Sequence, residues 1–74
     1  MLDKVRDILS EFTDFPVEKM TENTELENDL GLNSLDVINV IVAFEDEFGI
    51  EIPDRIIKVF HSIGDIVDFL EKNA

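Results

Sequence analysis

Residues 33–49 read NSLDVINVIVAFEDEFG, and the reading of this stretch decides the fold. Val37, Ile41, Phe44 and Phe48 recur every three or four residues, the period of a helix with one buried side. Those four are expected in the core, because two phenylalanines need cover in so small a chain. Opposite them fall Asp36, Asn39, Ala43, Asp46 and Glu47. Gly49 follows the last periodic residue and can adopt the left-handed conformation that ends a helix. A helix over 34–48 is therefore expected, with Asn33 as a candidate N-cap.

Outward from this helix, helical signals continue. Leu2, Val5, Leu9 and Phe12 are spaced 3-4-3 with charged residues between them, predicting an amphipathic helix that ends near Phe15–Pro16. Residues 16–33 hold only scattered apolar anchors, Met20, Leu26 and Leu30, and read as a long connection, either functional or disordered. Within it, Thr24 and Glu27 have capping-box spacing and could start a single turn. Downstream, IEIP runs extended into Pro53, and Asp54 is placed to cap a short helix over Arg55 to Phe60. Ser62, with Asp65 three residues on, should cap a last helix whose Ile63, Ile66, Val67 and Leu70 form one stripe. The expected fold is all-α: a small four-helix bundle with three longer helices, a short third helix and a long loop between helices 1 and 2. Residues 1–74 make a single domain, since so short a chain cannot support two cores.

Composition narrows the function. The net charge is −12, yet 45% of residues are apolar, too many for a disordered acidic tail. From Met20 to Asp54 there is no lysine or arginine, while ten acids occur. Such an anionic block repels nucleic acid and anionic lipid and attracts basic partners. There is no cysteine, hence no disulfide framework or thiolate zinc site, which fits a reducing compartment. The N-terminus interleaves charged and apolar residues, unlike a signal peptide or membrane span. A cytoplasmic protein without membrane insertion is expected, monomeric because identical anionic surfaces repel. No catalytic residues are assigned: His61 is the only histidine, and no base, nucleophile or metal constellation accompanies it. No specific metal site is expected either. Counting back five residues from each glycine reaches Leu26, Phe44 or Val59, none of which can begin a calcium loop. Loose divalent binding to the acids remains.

Two features of the second helix invite partners. Leu35 and Val42 lie at the margin of its exposed arc beside Asn39 and Asp46, framed by acids. They suggest a docking surface with an apolar centre and a charged rim, the alternative being packing under the long loop. Ser34 falls in the first turn, where N–H groups lack intrahelical partners and the helix dipole favours a phosphate. By position alone, a serine at a helix start is a cap far more often than a modification site.

The string DLGLNSLD, followed by VINVIVAFEDEFGIEIPD, resembles the acyl carrier protein family. Asp29, Leu30, Gly31, Ser34, Leu35, Asp36, Glu45, Glu47, Phe48, Ile50, Ile52, Pro53 and Asp54 stand at the matching positions, and HSIGDIVDFL resembles the family's entry into its last helix. The likeness covers almost the whole chain. It implies that Ser34 is esterified by phosphopantetheine, donated by coenzyme A through a phosphopantetheinyl transferase. The arm's thiol would carry an acyl group as a thioester to fatty-acid or related biosynthetic enzymes. It also implies a recognition face of Leu35, Asp36, Asn39, Val42, Glu45, Asp46 and Glu47, read by basic patches on acyl-transferring or synthase enzymes.

This chain departs from the family pattern in four places. Asn33 stands where aspartate is usual, Asn39 replaces a common glutamate, Arg55 and Lys58 put positive charge on the third helix, and Ile57 occupies a position usually held by alanine. These departures leave open a specialised carrier of short acyl, polyketide or aminoacyl groups. The other alternative is an unmodified acidic protein-interaction domain.

Overall fold

Local sequence signals set the helix boundaries most firmly around the second helix. In the computed structural model, which describes residues 1–73, α1 spans Leu2–Leu9, α2 Ser34–Phe48, α3 Asp54–Ile57 and α4 Ile63–Asn73. The predicted limits of α2 hold at both ends. Gly49 adopts φ 64° and ψ 38°, and its N–H donates to the carbonyl of Glu45 at 2.8 Å. α1 packs against α2 and α4 around one core that includes Val5, Leu9, Ile41, Phe44, Ile63, Ile66, Val67 and Leu70. Burying the Phe44 ring completely contributes about 1.5–3 kcal/mol. The stripe predicted for α4 is buried in full.

Four expectations are corrected. Helix α1 stops at Leu9 rather than near Phe15–Pro16. There the Ser10 hydroxyl donates to the Asp7 carbonyl at 2.6 Å, while the N–H groups of Glu11 and Phe12 turn to carbonyls three residues back. The chain thus tightens into a 3₁₀-like turn that still delivers Phe12 to the edge of the core. Thr24 forms no capping box with Glu27. It is buried, its hydroxyl accepts from the Thr21 N–H at 2.9 Å, and the following turn is tied by Asp29, whose carboxylate accepts from the Glu25 N–H at 2.8 Å. Helix α3 ends at Ile57 instead of Phe60, and Asp54 lies inside it behind Pro53 without a side-chain cap bond. In α2, Val37 and Phe48 are only partly buried, whereas Val40, absent from the expected core, is fully buried.

The connection between α1 and α2 is ordered. It holds a 3₁₀ turn at Val17–Lys19 and buries Met20, Leu26, Leu30 and Leu32. Its backbone is stitched to the start of α4: Leu26 donates to His61 at 2.9 Å, Ile63 donates to Thr24 at 2.9 Å, and Gly64 donates to Glu22 at 2.8 Å. The Thr13 hydroxyl reaches the Leu30 carbonyl at 2.8 Å. These bonds satisfy polar backbone that would otherwise be costly to bury, and they fix where α2 begins. No described helix is long and apolar enough to cross a membrane.

Candidate functional site

Ser34 occupies the first position of α2, and its side chain is exposed. The capping oxygen belongs to Asn33, which accepts from the Asp36 N–H at 2.8 Å; the Asp36 carboxylate in turn accepts from the Asn33 N–H at 3.1 Å. This reciprocal pair leaves the Ser34 hydroxyl without a structural duty. The N–H groups of Ser34 and Leu35 lie in the first turn, where the helix offers them no acceptor.

Beside Ser34 opens a groove of about 450 Å³ with an apolar wall of Val37, Ile38, Ile57 and Phe60. Glu27, Asp54, Lys58 and His61 also border it. Its size falls within the range of small-ligand sites. Val37 packs against the core and also borders this groove, which leaves it only partly buried. Ile57 and Lys58, two departures from the family pattern, both face this space.

The predicted recognition face divides. Leu35 is 66% exposed and Val42 48% exposed, and between them Ile38 is 50% exposed, completing an apolar stripe along α2. Ile38 was not singled out from sequence, although its place three residues after Leu35 and four before Val42 is a helical signal. Asn39 and Asp46 are exposed beside the stripe. Glu47 is exposed and meets the Lys4 ammonium at 3.5 Å. Asp36 is half-buried in the cap, and Glu45 is half-buried with its carboxylate accepting from the Ile52 N–H at 2.8 Å. Both acids therefore help hold the chain ends around α2, and among the described residues Asp46 is the exposed acid of this face without an ion-pair partner.

On the far rim, the His61 N–H donates to Asp65 at 2.9 Å and the Ser62 N–H donates to the same oxygen at 3.1 Å. The bond from His61 is the main reason the Asp65 carboxyl is held below its ordinary value of 3.8; Ser62 acts in the same direction, and partial burial opposes them. The pair anchors the start of α4 and thereby the groove wall at Phe60 and His61. Among the described residues, no cluster of three or more histidine, aspartate or glutamate side chains is arranged to hold a metal ion.

A phosphopantetheine esterified to Ser34 fits this arrangement. The hydroxyl is open to solvent, unpartnered N–H groups lie beside it, and the apolar groove begins at its side.

The family model described as the phosphopantetheine attachment site matches residues 3–70. Acyl carrier proteins from two Bradyrhizobium strains, ORS 278 and BTAi1 / ATCC BAA-1182, are each 42% identical over 72 residues, covering 97% of this chain and 91% of theirs. A solved structure of the acyl carrier protein from Enterococcus faecalis superposes with a TM-score of 0.86 at 32% identity, covering 99% of this chain and 92% of that one.

Proposed function

Because this chain belongs to the acyl carrier protein family, whose members bear a covalent phosphopantetheine, we propose that Ser34 is its attachment point. One observation carries the assignment: Ser34 is an exposed hydroxyl, relieved of capping by Asn33, at the edge of an apolar groove. In the transfer, the Ser34 oxygen bonds to the pantetheine-side phosphorus of coenzyme A. The pyrophosphate bond breaks, the nucleotide bisphosphate leaves, and the serine proton passes to a base of the transferase. When bound, the arm supplies the thiol that carries acyl cargo as a thioester. This accounts for a working chain without cysteine. A tethered cargo is also presented to a docked enzyme at high effective concentration.

The stripe of Leu35, Ile38 and Val42, rimmed by Asn39, Asp46 and Glu47, supports docking to basic patches on the transferase and on acyl-transferring or synthase enzymes. The chain itself is assigned no catalytic step, which accords with its lone, exposed histidine. We place it in the cytoplasm as a monomer, in keeping with its anionic surface and lack of cysteine. Within this function, Ile57 in the groove wall favours short acyl cargo, because a branched side chain there takes up room a longer chain would fill.

The test of attachment is intact mass after incubation with coenzyme A and a broad-specificity phosphopantetheinyl transferase. Wild type should gain one arm and Ser34→Ala none. A wild type that remains bare, or a Ser34→Ala variant that gains mass, removes the assignment.

A further inference from the structure

Among the described residues, the cations of α1 are committed elsewhere: Lys4 meets Glu47 at 3.5 Å and Arg6 meets Asp3 at 2.7 Å. Among the described residues, no acid lies within ion-pair distance of Lys58, although Asp54 lies one helical turn before it and both border the groove. It is the one lysine or arginine on that border, which it shares with Ser34. Arg55, on the same short helix, is exposed but does not line the groove.

We propose that Lys58 is a positioning residue for the arm: its ammonium pairs with the phosphodiester on Ser34 and draws the first part of the arm across the groove rather than away from the protein. The inference rests on Ser34 being the attachment point. Its physical basis is charge. A phosphodiester at Ser34 adds a negative group to a border that already holds Glu27 and Asp54, and Lys58 is the one lysine among the residues lining it. His61 offers a further ring N–H donor on the same border. Lysine suits this task because it acts as a point charge on a flexible stem, able to follow a phosphate attached through a rotatable serine side chain. The pairing is exposed and therefore moderate. Ion pairs of this kind shift a population about 1.5- to 5-fold, enough to bias the arm while leaving it free to depart into an enzyme.

The experiment compares apo and holo protein by NMR, after mass spectrometry has established arm attachment in each variant. In wild type, the phosphorus signal and the Lys58 ε-methylene signals should shift between low and high salt in the holo protein, and the methylene signals should differ between apo and holo. Lys58→Gln should move the phosphorus signal to its high-salt position and loosen the arm's first methylenes in relaxation measurements. Lys58→Arg should restore much of the wild-type behaviour, while Arg55→Gln should leave the phosphorus signal unchanged. Equal melting temperatures of the apo variants guard against a folding effect. If wild type and Lys58→Gln carry the arm yet share one phosphorus signal and one arm mobility, the lysine role is overturned and attachment stands. If Arg55→Gln produces the same change, general surface charge is responsible and the role is also overturned. A wild type that never gains the arm overturns both readings.

Discussion

Asn33 and Asp36 exchange hydrogen bonds across the first turn of α2, with the Asn33 side chain accepting at 2.8 Å and the Asp36 carboxylate accepting at 3.1 Å. The serine between them is thereby freed from the role its position would otherwise assign it. Removing the capping oxygen leaves the Asp36 N–H unpaired. Asn33→Ala should lower stability by about 0.5–2 kcal/mol in urea denaturation, whereas Asn33→Asp, which retains a capping oxygen, should remain close to wild type.

Gly64 is held for space and Gly49 for conformation. A Cβ at position 64 would come within 2.9 Å of the Glu22 carbonyl oxygen, a backbone atom bonded to the Gly64 N–H. Gly64→Ala should cost about 1–3 kcal/mol and loosen the loop against α4, visible as faster amide exchange at Gly64. At Gly49 nothing lies within 4 Å, but φ is +64°. Gly49→Ala should cost about 1–2 kcal/mol, with Gly49→Asn milder.

Asp65 makes stability depend on acid. Its folded pKa is depressed, chiefly by the His61 N–H, so the unfolded state binds the proton more tightly. Its contribution is complete above the ordinary value of 3.8 and is lost as pH falls through the lower folded value. Wild type should therefore lose more stability than Asp65→Asn as pH falls from above 3.8 through the lower folded value. Parallel pH curves for the two proteins in urea titrations would contradict this origin.

The exposed stripe on α2 should matter to partners more than to folding. Ile38→Ala removes a half-exposed side chain and should change stability by less than about 0.5 kcal/mol. If Ile38 is an anchor of the docking face, the same change should cost about 1 kcal/mol or more in kcat/KM for the transferase, roughly fivefold. Phe44→Ala, by contrast, opens the fully buried core and should cost about 3–5 kcal/mol.

Millimolar magnesium should raise the melting temperature in low salt by relieving repulsion within a chain of net charge −12. The described acids form no clustered site, so sodium chloride at higher concentration should reproduce the effect. A magnesium response that survives physiological salt would instead indicate a specific site.

The all-α class, the span of α2, the buried stripe of α4 and the place of Ser34 were legible because each depends on neighbours within a few residues. Helical period sorts side chains only toward or away from a partner. It could not tell that Val37 borders a groove while Val40 is sealed, since that difference is made by α3 and the residues after it. Nor could it reveal that Glu45 is bound to the Ile52 N–H instead of facing a partner.

What the chain carries in its linear order is the helix pattern, the caps and an anionic middle without lysine or arginine. Tertiary structure alone brought Lys58 to the border it shares with Ser34, ordered the long loop against α4, and left the helical stripe of Leu35, Ile38 and Val42 uncovered. The physical reason is range. Capping and periodicity act over one turn of helix, whereas a groove exists only where elements distant in sequence fail to close against one another.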